Sequence, residues 1–401
     1  MSQGQPFPLT EESIFAHFSQ EDRELLLSDT LTGRWWYEGF TLLLRCFRED
    51  KNLTSAGRQR VEARLVDVLK NRLAISRRLR SVDLSKFSIK RPIFIIGPCR
   101  TGTSFLQELL FQDPQNTSLM YYEVLHPVVD VATVGTDPRI LEEEQAQASM
   151  NETVPQMKSI HKMEAGSPYE GHHLFENIGV FKAPAFQGGN SGEYVTWYEA
   201  RTNEEMAEAY RFHKLQTQLI LNGRAAASSS RRMVFKENYH SLYLDAILKV
   251  YPDAIFVHTY RNPCTSLASL CSLRETYKLL AYEQCDIDLE QLGREVLNWA
   301  FLHGGTEMMK FRKNHPDLEH RFVDIAFDDL VTSPLNAVKK IYDHFGLELT
   351  DQGKDNMEAY VKENPQNKHG RHKYDLKRYH LTEEEVLGHF KEYVEEYKIP
   401  C

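Results

Sequence analysis

Pro92-Ile-Phe-Ile-Ile-Gly97-Pro-Cys-Arg-Thr-Gly-Thr-Ser104 is the stretch that decides the fold. Its first half is a short apolar run, β-branched and ended by Gly97, which reads as a strand buried on both faces. Its second half sets Gly97 and Gly102 five apart with Ser104 last, the spacing of a Walker A loop. Phe105, Leu109 and Leu110 then open a helix. A strand, a glycine turn and a helix start together cradle phosphate, because the first turn of a helix presents N–H groups with no partner in the helix. The place of the Walker lysine, however, is taken by Thr103. A nucleoside triphosphate needs that lysine on its β- and γ-phosphates. The loop therefore suits a smaller diester-like anion, held by backbone N–H groups, hydroxyls and Arg100.

Working outward, the same strand-then-helix pattern recurs. Met233-Val-Phe235 ends at Lys236, and Ala254–Tyr260 ends at Arg261 before a helical stretch. Arg321–Phe327 precedes Pro334 and the amphipathic run Ala337–Phe345. Strands alternating with helices predict an α/β fold, P-loop-like and three-layered, whose central parallel sheet binds ligands at the carboxyl ends of its strands. Residues 1–90 read as a helical region packing on that core. Val61, Leu65, Val68, Leu69 and Leu73, for example, fall on one helical face. Trp35, Trp36, Tyr37 and Phe40 form an aromatic cluster suited either to packing or to lining an acceptor site. The core is expected over 91–350, with a helical, acceptor-covering insertion at about 125–230 broken by the turn-rich stretch Ala183–Gly192. Residues 351–401 read as a C-terminal tail and helix.

A net charge of −9 argues against a general nucleic-acid partner, which needs a basic footprint. The basic stretch of Arg77, Arg78, Arg80, Lys86, Lys90 and Arg91 reads as a solvated face leading into the phosphate loop. No run of about 18 apolar residues is present, so no integral membrane association is expected. The opening MSQGQPFPLTEES lacks the basic-then-apolar build of a secretory signal, which predicts a cytoplasmic protein. The cysteines at 46, 99, 264, 271, 285 and 401 form no CxxC pair and no metal-ligand spacing, so reduced thiols and no metal are expected.

With the loop in place, the sequence resembles the sulfotransferases that use 3′-phosphoadenylyl sulfate (PAPS). Their 5′-phosphosulfate loop reads as a basic residue, Ser/Thr, Gly, Thr and Ser/Thr after a strand; here that is Arg100, Thr101, Gly102, Thr103 and Ser104. Their 3′-phosphate motif, Arg-Asn/Asp-Pro at a strand end with a serine eight residues on, matches Arg261-Asn262-Pro263 and Ser269. A third stretch, Ile325–Leu330 with Pro334 and His344–Leu347, resembles the family's later strand and helix, with Phe327 in place of the usual tyrosine. The resemblance covers roughly 92–350. The long helical lead-in is similar to the soluble, bacterial-type branch more than to the compact cytosolic enzymes of animals.

The resemblance implies sulfuryl transfer from PAPS to a hydroxyl or amine of a small-molecule or lipid-like acceptor, without a metal. It implies that Arg100 and Lys236 stabilise developing charge, that Arg261 and Ser269 hold the 3′-phosphate, and that Phe327 packs near the adenine. Arg371, beside Gly370 and between His369 and His372, stands where relatives fold a basic segment over the donor; a solvated tail is the other reading. The general base stays open among Glu170 (beside His172 and His173), His240 and Glu123, because Asn238 stands where the compact enzymes carry a histidine. A degenerate P-loop kinase or NTPase, and a non-catalytic nucleotide-binding protein, are the alternatives. The oligomeric state is open, with a homo-oligomer among the options.

Overall fold

The computed structural model describes residues 7–28, 35–129, 137–157, 163–180, 191–224, 231–301, 305–365 and 375–400. Ile93–Ile96 forms β1, buried at all four positions. β2 (Asn116–Thr117), β3 (Arg232–Lys236), β4 (Ile255–Tyr260) and β5 (Phe322–Ala326) complete one sheet in the order β2-β3-β1-β4-β5. Every pairing is parallel, with Ile95 opposite Lys236 and Ile96 opposite His258. Successive β1 side chains point to opposite faces. Ile93 and Ile95 join Leu106, Leu109 and Ile341 on one side, while Phe94 and Ile96 join Phe212, Ile247 and Tyr251 on the other. Each of these side chains contributes about 1.5–3 kcal/mol on burial, which is why a run of only four apolar residues anchors the fold. The expected three-layer α/β architecture is what forms.

Four helices precede the sheet: α1 (Glu11–Phe15), α2 (Gln20–Ser28), α3 (Trp35–Glu49) and α4 (Ser55–Leu79). They close around a core of their own, including Leu43, Phe47, Val61, Leu65 and Leu69, which reaches Tyr194, Ala281 and Tyr282 of the main body. Trp36 and Phe40 are buried here, and the Arg72 guanidinium lies 4.4 Å from the Trp36 ring centroid. Packing is therefore the role of these two aromatics; the Trp35 side chain lies outside the described residues. Between β2 and β3 the chain is mainly helical, with Pro138–Thr153, His172–Glu176, Gly192–Glu199 and Asn203–Gly223. Most of the turn-rich stretch Ala183–Gly192 lies outside the described residues. Among those described, no helix is long and apolar enough to cross a membrane.

The structure departs from the sequence reading at the end of β5 and at β2. Phe327 opens the helix Phe327–Thr332 instead of ending β5, and Asp328 and Asp329 fill its first turn. β2 was not foreseen, because two residues are too few to show alternation. The C-terminal segment is also more than a tail. Leu376, Tyr379, Val386, Phe390 and Tyr393 are buried in the same cluster as Phe94 and Phe256.

Candidate active site

Three loops leave the adjacent strands β3, β1 and β4 at their carboxyl ends, and the candidate site is built from them. The loop after β1 turns at Gly97, φ +119°, where a Cβ would stand 2.5 Å from the Thr259 carbonyl oxygen. It then passes Arg100 at φ +67°, a left-handed conformation that costs a non-glycine residue about 1–2 kcal/mol. Gly102, φ +89°, sits at the N-cap of α5 (Thr103–Phe111). Neighbouring groups hold this shape. Gly97 N–H donates to Ser241 Oγ at 3.0 Å, and Asn238 Nδ2 donates to the Gly97 carbonyl at 2.7 Å. The Thr101 hydroxyl donates to the Pro98 carbonyl at 2.8 Å and lies 2.6 Å from Thr259 Oγ1. Thr101 is thus turned inward as a brace, whereas Ser104 is exposed at the helix start.

The Arg261-Asn262-Pro263 motif has a local cause. Asn262 caps the helix Pro263–Lys278, its side-chain oxygen accepting from Cys264 N–H at 2.9 Å, and Pro263 takes the first helical position, where no N–H is needed. Arg261 is thereby fixed at the end of β4. Its Nη1 donates to the Arg100 carbonyl at 3.3 Å, and its guanidinium lies 3.8 Å from the Phe327 ring centroid. Ser269, buried on the same helix, accepts from Arg100 Nε at 2.9 Å. Arg100, Arg261, Ser269, Gly102 and Phe327 are therefore one cluster. A Cβ on Gly102 would meet Phe327 Cδ2 at 3.2 Å.

Lys236, at the end of β3, is 3% exposed and forms an ion pair with Glu170 Oε1. Backbone bonds on either side fix Glu170. Gln107 Nε2 of α5 donates to the Tyr169 carbonyl at 3.1 Å, and Gly171 N–H donates to the Lys236 carbonyl at 3.4 Å. His172 Nδ1 lies 3.2 Å from Glu170 Oε2 and 3.3 Å from Glu237 Oε2. Burial alone would lower the His172 pKa, but the nearby Glu170 and Glu237 carboxylates outweigh it and raise the value to about 9. His173 next to it is pushed down to about 3 by burial and by the His172 charge. Burial likewise raises the Cys99 thiol to about 12, leaving it neutral. A groove lined by Ser104, Gln107, Glu108, Tyr169 and Glu170 runs from the helix start to the carboxylate.

The other base candidates lie elsewhere. His240 is 1% exposed, with Nδ1 2.7 Å from Tyr210 Oη and its ring packed on Phe94 and Phe175. Glu123 is buried, accepts from Met120 N–H at 2.9 Å, and is bound by Arg224, whose Nε donates to Oε1 at 2.7 Å. Arg371, with His369 and His372, lies outside the described residues. The sequence reading missed the part played by Glu237, Asn238 and Ser241, although Glu237 and Asn238 directly follow Lys236. Among the described residues, two groups of donor atoms lie close enough to surround a cation, Glu170/His172/Glu237 and His172/His173/Glu176. Each already meets a cationic side chain: Lys236 at Glu170, and Arg64 at Glu176, with Nε donating at 2.9 Å.

The profile described as the sulfotransferase family matches residues 92–351, from β1 to beyond the helix Pro334–Phe345. The chain belongs to that family. It is 24% identical over 266 residues to the omega-hydroxy-beta-dihydromenaquinone-9 sulfotransferase of Mycobacterium bovis, an alignment covering 64% of this chain and 63% of that relative. The same figures hold for the protein of that description from Mycobacterium tuberculosis. The crystal structure of sulfotransferase STF9 from Mycobacterium avium superimposes with a TM-score of 0.83 at 23% identity, covering 98% of each chain. Sulfotransferase STF1 from Mycobacterium tuberculosis gives 0.75 at 24% identity, over 96% of this chain and 99% of that one. These likenesses extend the shared fold beyond the matched core to the N-terminal helices of this chain.

Proposed function

We propose that this sulfotransferase moves the sulfuryl group of PAPS to a hydroxyl or amine of a small-molecule or lipid-like acceptor, in line and without a metal. The observation that carries the reading is the convergence of three strand ends on one site: the phosphate loop with Arg100, the Arg261/Ser269 cluster, and Lys236 paired with Glu170. The donor set fits PAPS, with N–H groups and cations for its anionic oxygens and a half-buried aromatic ring, Phe327, near them.

In this reading the first-turn N–H groups of α5 and Arg100 hold the phosphosulfate, while Arg261 and Ser269 hold the 3′-phosphate. Lys236 meets the oxygen that leaves with the electron pair of the broken S–O bond, where negative charge develops. Glu170 accepts the proton of the acceptor oxygen as the new O–S bond forms. His172 is unsuited to that role at neutral pH because it already carries its proton. The groove beside Glu170 brings solvent to the carboxylate, the side from which an acceptor hydroxyl would approach. The relative that acts on an omega-hydroxy-dihydromenaquinone supports a lipid-like acceptor bearing a hydroxyl.

The kinase alternative needs a phosphate-binding lysine and magnesium ligands. Thr103 fills the lysine position, and Asp328 and Asp329 sit in the first turn of a surface helix. Calorimetry separates the readings. Binding of 3′,5′-adenosine bisphosphate that is unchanged by EDTA is the expected result. Magnesium-dependent binding of ATP, with no affinity for the bisphosphate, would overturn the proposal.

A further inference from the structure

The geometry points to His172 as a positioning residue of the transfer reaction: shared between Glu170 and Glu237, it holds the Glu170 carboxylate in place when Lys236 turns to the donor. This rests on the reading of Glu170 as proton acceptor. The two oxygens of Glu170 have different partners, Lys236 at Oε1 and His172 at Oε2. One contact can therefore open while the other stays closed. His172 is in turn tied to Glu237, which is 3% exposed and adjoins Lys236 in the chain.

Counting charges shows what the arrangement does. With Lys236 and His172 protonated, two cations face the two carboxylates of Glu170 and Glu237. Drawing the ammonium toward an anionic donor leaves one cation for two carboxylates, which raises the proton affinity of Glu170 at the step that needs a base. Without His172, the buried Glu237 carboxylate and the half-buried Glu170 carboxylate would then face each other uncompensated, and Glu170 would swing toward water. The other groups facing His172 are Tyr169, with ring centroids 5.9 Å apart, and His173, at 4.0 Å. Glu176 acts from the far end of the short helix and Lys236 from β3, through Glu170. Burial, the largest cause of the lowered His173 pKa, persists without His172, and Arg64 also faces the His173 ring, so His173 is a poor replacement for the lost charge.

The test compares His172→Gln, Glu237→Gln and Glu170→Gln with the wild type. The readouts are kcat and KM for PAPS with a hydroxyl-bearing prenylquinone in detergent micelles, from pH 6 to 10, and calorimetric affinity for 3′,5′-adenosine bisphosphate. The wild-type kcat should fall as pH rises through about 9, where His172 loses its proton. His172→Gln should lower kcat roughly 10–100-fold and abolish that alkaline limb, while bisphosphate affinity stays within about twofold. Glu237→Gln keeps the imidazole and removes one of its two anions, so its alkaline limb should move to lower pH. This second variant keeps the question answerable if His172→Gln fails to fold. Wild-type kcat and pH profile in His172→Gln, with Glu170→Gln inactive, would overturn the positioning role alone. An unmoved limb in Glu237→Gln would also overturn it. Wild-type turnover in Glu170→Gln would instead remove the base assignment on which the inference stands.

Discussion

Replacing Arg261 with alanine should weaken donor binding through the 3′-phosphate and through nothing else. The guanidinium is fixed at a strand end by the Asn262-Pro263 cap, donates to the Arg100 carbonyl, and stacks 3.8 Å from the Phe327 centroid. A hydrogen bond from such a cation to a phosphate oxygen is worth about 1.5–3 kcal/mol. That corresponds to a loss of roughly 10- to 150-fold in Kd. The loss of the stack and of the carbonyl bond falls on the free enzyme as well, so it largely cancels in binding. The assay is a cycle of four titrations, with wild type and Arg261→Ala each titrated with 3′,5′-adenosine bisphosphate and with adenosine 5′-monophosphate. The variant should lose at least tenfold for the bisphosphate and less than about threefold for the monophosphate. Equal losses for both ligands would mean that Arg261 only shapes the loop, and the assignment of the 3′-phosphate to this strand end would fall.

Lys236→Ala and Arg100→Ala should each lower turnover more than tenfold, the effect of removing one well-placed charge, while circular dichroism stays native; wild-type rates would remove them from the chemistry. Gly97→Ala should lose about 2–4 kcal/mol in urea unfolding, since its Cβ would stand 2.5 Å from a carbonyl oxygen at φ +119°. Gly388→Ala, whose Cβ would meet nothing within 4 Å, should be neutral or slightly stabilising. His213 is fully buried and held neutral, its pKa lowered to about 3 by burial. Its unfolded form charges below pH 6.5, so stability should drop as pH falls through that value, by about 2 kcal/mol at pH 5. His213→Gln should lose correspondingly less between pH 7 and pH 5, as read from urea midpoints.

The parts of this protein legible in its sequence are those whose cause is local. β1 and the turn after it are a buried strand and a helix start written in consecutive residues, and Asn262-Pro263 is a cap and a first helical turn. The surroundings of the three base candidates are not legible in the sequence, because partners far along the chain set them. Glu123 looks like a free carboxylate until Arg224, the residue after a long helix, folds back and claims it. His240 reads as a catalytic histidine near Lys236, yet the short turn after β3 carries its ring back onto Phe94 in the core. Glu170 and His172 gain meaning only because Gly171 binds the Lys236 carbonyl. A C-terminal helix is legible, but its burial is not, since that involves Tyr393 reaching His258 of β4, its hydroxyl 2.9 Å from Nε2.

The separation of Glu170 from the other site residues has a practical side. The groups assigned to the nucleotide grow from β1, β3 and β4, whereas Glu170 and His172 ride on the excursion between β2 and β3, stapled to the sheet by contacts around positions 169–172. Recombinant exchange of the flanking helices with those of a relative, with seams placed outside this short staple, would show whether acceptor choice travels with that excursion while the nucleotide-facing strand ends stay unaltered.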